Sequence, residues 1–551
     1  MKHEVHETEV LVVGTGAAGA AAAIAALEGG AKVTLLEASE TAGGTTRSSG
    51  GAFWIPNNPW MRAAGAEDPR EDALRLMARL AYPALYDPRA PQLGIGVREH
   101  ALLATFYDEG AAVVERLAQL GAINTMILPG LGGSPSPVSD PDYHAEFPEN
   151  VAPYGRVLTA IPEPGAMVWP GVFLADGLLA HLRARGAQIL TGHKVVSAWL
   201  GGDAQTLGVH AEHAGERRSI RARRAVVFAS GGFAHGPGRA QALLRGPIFG
   251  SGSVASSDGV MLDIAAEVGA MLGNLGNAFY YQVAIEDVLA NGGAVRHPYA
   301  HCFLPYGDST ILVDVRGRRV VNEKAMYHVR AQSHFDGSGV GWPNLVQLMI
   351  YDQAVADEPT FWPWRGVVPL PGTSSPFVIS GDTLEQLAAR VAERLERLAG
   401  ARGLSAAVGP DVRLAPEFVA TLRATIERFN GFAASGVDLD FQRGETPIQQ
   451  AWQGPSRSST ANRTMTPISA TGPYHCVLLG AGVLDTCGGP VIDERARVLR
   501  VDGQPAPRLF AAGNCAASPV GQAYWGAGGT IGPALVFGWI AGRNAAAMDP
   551  G

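Results

Sequence analysis

Three stretches of this 551-residue chain point to an α/β fold whose parallel-sheet domain is split by an inserted α+β domain. Residues 7 to 39, ETEVLVVGTGAAGAAAAIAALEGGAKVTLLEAS, read as strand, glycine turn, helix and second strand. Residues 223 to 233, RRAVVFASGGF, are a buried strand ending on another close-approach turn. After a middle of different character, the chain returns to strand-and-glycine patterning and closes on GQAYWGAGGTIGPALVFGWIAGRNAA, residues 521 to 546. The expected parts are therefore 1–273 and 453–551, forming one discontinuous domain, and an insertion at 274–452.

The first turn carries the most chemistry. Val10 to Val13 run into Gly14, Gly16 and Gly19, and Lys32 to Leu36 end on Glu37 and Ala38. Gly14 permits a tight reversal, Gly16 lets backbone approach a pyrophosphate, and Gly19 lets the helix pack close to the strand. The helix N-terminus at Ala17 and Ala18 offers unpaired N–H groups and the positive end of a dipole. Glu37, about 20 residues on, is placed to accept hydrogen bonds from a ribose 2′-hydroxyl and would repel a 2′-phosphate. Strand, helix, second strand and terminal acid agree on a Rossmann-like dinucleotide-binding unit.

Composition narrows the alternatives. Hydrophobic residues at 47% and charged residues at 17% describe an ordinary globule large enough for a sizeable core. The net charge of −8, with no basic cluster, argues against nucleic acid as a partner. Cys302, Cys476, Cys487 and Cys515 are scattered, with neither a CxxC nor a paired histidine spacing, so neither a disulfide framework nor a metal site is expected. The N-terminus is charged and runs straight into the first strand, so no signal peptide is read. No apolar run is long enough to span a membrane. A cytoplasmic setting is the expectation, with peripheral membrane contact left open.

Taken in order, TAGGTTRSSGG after Glu37 supplies bare backbone and hydroxyls at Gly43, Gly44, Thr45, Thr46, Ser48, Ser49 and Gly50, where a long cofactor would continue past its pyrophosphate. The segment holds no histidine or cysteine, so a covalent flavin link from it is not expected. Helical periodicity follows at Glu71 to Leu80 and His100 to Leu120. Residues 128 to 170 are rich in glycine, proline and tyrosine, and a loop of that length reads as a lid or pocket wall. Tyr143 and His144 stand out in it. A helix from Leu174 to Arg185, a strand at Gln188 to Leu190 and a hairpin around Gly201 to Glu216 lead to the strand Ala225 to Phe228, with Ala229, Gly231 and Gly232 in the turn beyond it. A helix is expected over 257 to 272. The middle segment shows helices at Thr383 to Leu398 and Pro416 to Ala434. Tyr280, Tyr281, Phe361, Trp362 and Trp364 read equally well as a cavity lining or as core.

Three of these stretches together resemble the flavoprotein group that includes fumarate reductase flavoprotein subunits and 3-ketosteroid dehydrogenases: the fingerprint at 9–37, the GGPVID…LFAAGN segment at 488–514, and TIGPALVFG at 530–538. The resemblance implies an FAD-binding domain with an inserted catalytic, capping domain and non-covalent FAD. It places Gly513 and Asn514 on the ribityl chain, and Gly532, Ala534 and Leu535 in a final helix whose N-terminus faces the flavin. GRRVVNEKAMY, residues 317 to 327, is similar to a segment in which fumarate reductases carry a proton-transferring arginine four residues after the glutamate. Here that position is Tyr327, and no arginine lies between Ala516 and Ile540. Two substrate carboxylates would be desolvated unpaired at a cost of several kcal/mol.

The same positions resemble 3-ketosteroid Δ1-dehydrogenases, which have a tyrosine after the glutamate and a terminal Y-x-G-x-G, here Tyr524 to Gly528. Trp54 to Asn58 (WIPNN) and Asp142 to Glu146 (DYHAE) are similar as well. Gly526 stands where the related Δ4-(5α)-dehydrogenases have a serine, which favours the Δ1 type. The resemblance implies that the Tyr524 hydroxyl and the Gly528 N–H polarise a ketone oxygen and that Tyr327 takes the α-proton while a hydride leaves for the flavin. Holding an ordinary phenol ionised at pH 7 costs about 4 kcal/mol. Tyr143, His144 or Arg330 is therefore expected to support that charge, and Trp525 to wall the pocket. The implied substrate is an apolar ketone such as a steroid, with an unidentified electron acceptor reoxidising the flavin. A smaller saturated cyclic ketone, a Δ4 desaturation and a non-catalytic flavin-fold protein are the alternatives.

Overall fold

A computed structural model describes the whole chain except residues 1–5, 131–135, 137, 166–167, 296–299, 337–341, 361–364, 400–411 and 551. β1 (His6–Val13), α1 (Ala17–Glu28) and β2 (Val33–Leu36) form the unit read from the sequence. β1 lies parallel between β2 and the strand Glu216–Phe228, with Val10 opposite Val33 on one side and Ala225 on the other. The strand Pro505–Ala511 adds parallel to Glu216–Phe228, and Gln188–Leu190 adds parallel to β2. Central residues Val10, Leu11, Val12 and Val226 are fully buried, as both faces of such a sheet require. The expected hairpin is one turn of a meander in which Lys194–Leu200 and Thr206–His213 pair antiparallel before Glu216–Phe228 enters the main sheet.

Parallel register has a direct consequence for the site. The carboxyl ends of β1, β2, Glu216–Phe228 and Pro505–Ala511 all open on one edge, bringing Gly14, Glu37, Ala229 and Gly513 together from segments nearly 500 residues apart. The terminal helix Ile531–Ala546 crosses α1 at glycines. A β-carbon on Gly538 would lie 2.3 Å from the Ala18 carbonyl oxygen, and one on Gly542 would lie 1.9 Å from that of Ala22.

The second sheet runs antiparallel along His301–Cys302, Ala278–Ala284, Tyr474–Thr486, Gln347–Asp352, Thr310–Val313, and the short strand Gly250–Ser251 adds to Tyr474–Thr486 in parallel. This corrects the boundary expected at 452/453. Tyr474–Thr486 pairs with Ala278–Ala284 and Gln347–Asp352, so the chain is still inside the second sheet thirty residues past it. Its apolar run resembled a return to the nucleotide domain because a buried central strand reads alike in either sheet. We place the return near residue 487. The longer of the remaining helices fall at Arg70–Ala81, Val97–Gln119, Gly171–Ala184, Val260–Glu267, Leu384–Ala399 and Phe418–Ser435. The helix expected over 257–272 is shorter because Gly259, at φ +84°, begins it.

Candidate active site

One cavity of about 540 Å³ runs from the tip of β2 to a cluster of aromatic rings between the two sheets. At its nucleotide end Gly14, at φ +103°, sits so close to the next loop that a β-carbon would lie 2.2 Å from the Ala229 carbonyl oxygen. Gly16 is less crowded, a β-carbon there meeting Thr46 Oγ1 only at an ordinary contact distance of 3.5 Å. α1 starts there with no side-chain cap and no acidic residue in its first turn, leaving N–H groups and the dipole end for an anion. Glu37 is buried beside it and lines the cavity. Its carboxylate accepts from the Thr15 hydroxyl and from the Ser39 N–H at 2.9 Å, which fixes its orientation and leaves lone pairs for a further donor. These features fit an extended dinucleotide.

Ala17, Ala18, Ala38, Gly44, Thr45, Ser48, Ser49, Gly50, Ala229, Gly231, Gly513, Asn514 and Ala534 all line this cavity. Gly19, Gly43, Gly532 and Leu535 do not. Gly19 and Gly532 let backbones touch, since β-carbons there would lie 2.0 Å from the Gly14 oxygen and 2.1 Å from the Trp54 oxygen. Gly43, at φ +118°, gives its N–H to Thr15 Oγ1 at 2.8 Å, and Leu535 is core.

At the other end, Tyr143, Tyr327 and Tyr524 meet, all buried and all lining the cavity. The Tyr143 and Tyr327 hydroxyl oxygens are 3.1 Å apart. The Tyr524 ring stacks on Tyr143 at 6.0 Å and meets Tyr327 edge-on at 5.4 Å. Burial raises the Tyr524 phenol, Tyr327 and the Gly528 backbone amide each offset part of that rise, and Gly528 lines the same cavity. Gly528 must be glycine: it sits at φ +80°, and a β-carbon would lie 2.3 Å from the Ala52 carbonyl. Its carbonyl accepts from the N–H groups of Trp54 at 3.2 Å and Gly532 at 3.0 Å, which anchors the loop to the start of the terminal helix. No described residue lining the cavity is an arginine.

The family model for FAD binding domain proteins matches residues 9–531. The chain belongs to that family, and its cofactor is FAD. This flavoprotein is 29% identical to a 3-oxosteroid 1-dehydrogenase of Mycobacterium tuberculosis over 98% of its own length and 99% of the relative's. It is 28% identical to a 4-oxocyclohexanecarboxylate 2-dehydrogenase of Sinomonas cyclohexanicum over 98% and 93%. Its fold matches the crystal structure of 3-ketosteroid Δ1-dehydrogenase from Sterolibacterium denitrificans in complex with 1,4-androstadiene-3,17-dione, with a TM-score of 0.79, 22% identity, and coverage of 98% of this chain and 100% of that one.

In this flavoprotein the segments that lead into Tyr327 and Tyr143 are anchored by buried ions. Tyr327 opens the short helix Tyr327–Gln332, four residues after Glu323. Burial alone would raise the Glu323 carboxyl, but Arg319, bound through two hydrogen bonds of 2.9 and 2.8 Å, more than offsets it and keeps it below its ordinary value. Lys324 Nζ donates to the Pro305 and Gly307 carbonyls, both at 2.7 Å. Tyr143 follows Asp142, whose carboxylate takes a 2.6 Å hydrogen bond from the fully buried Arg156. Arg156 also grips Asp68 in a bidentate pair at 2.8 and 2.7 Å. Burial pushes Asp142 up to about 6, Arg156 offsetting only part of it. The WIPNN segment joins this scaffold: Asn58 Nδ2 donates to the Ile55 and Gly155 carbonyls at 3.0 and 2.9 Å.

The electrostatics correct several expectations. Arg330 does not reach the phenols, because its guanidinium donates to Gln282 Oε1 and to the carbonyls of Ala325, Cys302 and Phe303. His144 stacks on Phe147 outside the cavity lining, and burial pulls it down to about 4. Tyr143 is therefore the residue paired with Tyr327. Burial raises Tyr327 well above its ordinary value, and the neighbouring phenols raise it further rather than easing its ionisation. Trp525 does not line the cavity: it is fully buried between Trp54 and Phe106, at ring distances of 5.4 Å to each. Tyr280 and Tyr281 are core, and Phe361, Trp362 and Trp364 lie outside the described residues.

Sequence reasoning missed Thr15 and Asp485. Thr46 Oγ1 accepts the Ala17 N–H at 2.9 Å, so it shapes the turn from outside the glycine pattern. Asp485 is a buried carboxylate lining the cavity, oriented by the N–H of Gly232 at 2.9 Å and by Asn514 Nδ2 at 3.1 Å. It sits at the end of an apolar strand, where nothing in the local sequence marks it.

Proposed function

We propose that this flavoprotein desaturates a ketone next to its carbonyl, most specifically the 1,2-bond of a 3-ketosteroid. The observation that carries the reading is that Tyr524 and Gly528 line the same cavity as the hydrogen-bonded Tyr327–Tyr143 pair, with no described arginine in its lining. α1 with Gly14, Gly16 and Glu37 holds the dinucleotide half of FAD, and Asn514 and Ala534 hold the part nearer the ring system. When bound, the flavin accepts the two electrons of the β-hydride.

The remaining chemistry belongs to the chain. Tyr524 and Gly528 donate to the ketone oxygen and favour the enolate, and losing one such donor costs roughly 3–4 kcal/mol of transition-state stabilisation. Tyr327 takes the α-proton in the ionised form of its pair with Tyr143, whose hydroxyl donates to the phenolate across 3.1 Å. Phe303 and Trp452 close the pocket edge-on against Tyr327 and Tyr143, at 5.3 and 5.4 Å. His328 is neutral, pulled down to about 4 by burial. Its Nδ1 accepts the Tyr280 N–H, so Nε2 donates to the Gln522 carbonyl at 3.0 Å, fixing the loop that carries Tyr524.

A side chain at Gly526 would meet the Trp54 indole at 2.4 Å, which supports the Δ1 assignment by leaving no room for a hydroxyl there. The near-equal identity to a dehydrogenase of a small cyclic oxo-acid supports a second reading, desaturation of a smaller ring ketone. Anaerobic mixing with androst-4-ene-3,17-dione and with small cyclic ketones, followed by flavin absorbance, separates the two. Bleaching by the steroid alone supports the first reading, and bleaching by small ketones alone supports the second.

A further inference from the structure

We infer that His301 is the hydrogen-bond donor for a second oxygen on the substrate, an oxo or hydroxyl group at the end remote from the reacting ketone. The inference rests on the desaturation reading above and narrows its substrate class to ketones that carry such an acceptor. Rings that line the cavity lead from the phenols to this histidine: Tyr524 lies 5.4 Å from Tyr327, Tyr327 lies 5.3 Å from Phe303, and Phe303 lies 5.8 Å from His301. His301 pairs opposite Val283 and Cys302 opposite Gln282, so the chain is extended here and residues 301 and 303 point to one face. Among the described residues no ring contact joins His301 to Tyr143, Tyr327 or Tyr524, which puts it one step further along the wall than Phe303.

The histidine's tautomer is fixed from behind. Tyr281 is fully buried, and its hydroxyl lies 3.2 Å from His301 Nδ1. Among the described residues no other acceptor reaches that hydroxyl, and leaving it unsatisfied would cost roughly 1–3 kcal/mol. The phenol is therefore assigned as donor to Nδ1, which places the ring proton on Nε2. Burial outweighs the pull of Asp287 and brings the imidazole down to about 4, so at pH 7 it offers an N–H and no charge. The ring is only partly buried, and the cavity is what it opens on. Among the described residues Nε2 has no hydrogen-bond partner, so a ligand oxygen there gains one without displacing another. A neutral donor suits a neutral oxygen, since neither side brings the desolvation cost of an ion. A site built around such a donor disfavours an analogue of the same shape that lacks the acceptor.

The test uses the FAD-loaded enzyme with an artificial electron acceptor and two steroids: androst-4-ene-3,17-dione and 17-methyleneandrost-4-en-3-one, in which a CH2 group of the same shape replaces the far oxygen. The wild type should show a KM about tenfold lower for the dione at unchanged kcat, the size of one net hydrogen bond. The paired variant Tyr281→Phe/His301→Phe keeps both rings and removes the donor together with the hydroxyl behind it, so no polar group is stranded. Its KM ratio should fall to near one, through a rise in the dione KM. A ratio near one in the wild type overturns the inference without any variant, and so does a ratio that the paired variant leaves unmoved. Flavin bleaching by small cyclic ketones alone also overturns it while leaving desaturation standing, because the donor would then have no long substrate to meet. Flavin left oxidised by the steroids and the small ketones alike overturns desaturation, and the inference with it.

Discussion

Tyr327 differs from an ordinary core tyrosine in having two phenols against it and a hydroxyl that faces a cavity. Burial and those neighbours push it and Tyr143 well above the ordinary tyrosine value, so the neutral pair is the resting form at pH 7. The sign for catalysis follows. The active form has lost a proton, its fraction grows with pH, and both phenols titrate high. kcat/KM should therefore climb about tenfold per pH unit from neutrality, without levelling below the ordinary tyrosine value near 10. Tyr143→Phe removes the donor to the phenolate, so its profile should lie lower and shift further to the alkaline side. A plateau at pH 7 in the wild type would mean that another group is the base. Gly528 makes a separate claim: Gly528→Ala forces a β-carbon into the Ala52 backbone, and should lower kcat by two orders of magnitude or more alongside a loss of stability.

The elements that carry these residues are held by ion pairs with almost no exposure. Arg156 is the hinge of the 139–156 loop, tying Asp142 and therefore Tyr143 to Asp68 near the start of the helix Arg70–Ala81. Arg156→Leu would leave two buried carboxylates unpaired. A loss of about 3–5 kcal/mol in denaturant unfolding is expected, with Asp142→Asn much milder because Asp142 is already raised to about 6. At the nucleotide end, α1 and the terminal helix touch through Gly538 and Gly542, where no side chain fits. Gly542→Val should part the two helices and lower the flavin retained on purification, read as the ratio of flavin to protein absorbance. Full flavin content and an unchanged melting temperature would show the helix contact to be dispensable.

Across the whole molecule, local pattern was a good guide wherever a function depends on contiguous residues. Strand, turn, helix and acid at 7–39 share one segment, and the three phenols were found through short motifs around each. What escaped the sequence was long-range. The strand Tyr474–Thr486 carries the same apolar pattern whichever sheet it joins, so its pairing with residues 278–284 could not be read. Arg330 lies three residues after Tyr327 yet turns away to carbonyls, because a helix sends positions three apart along its own face and says nothing of what that face meets. Asp485 acquires meaning only when 253 residues of separation close to hydrogen-bonding distance.

The central claim is that phenols and a main-chain amide, in a cavity without a described arginine lining it, remove a proton and direct a hydride from an uncharged ketone to the flavin. Stopped-flow anaerobic mixing of wild type and Tyr327→Phe with androst-4-ene-3,17-dione tests it most directly. The wild type should bleach within the turnover time, and the variant should keep its yellow colour and bleach roughly 10²–10⁴-fold more slowly, the factor owed to a positioned base. Equal bleaching rates in the two proteins would contradict the account.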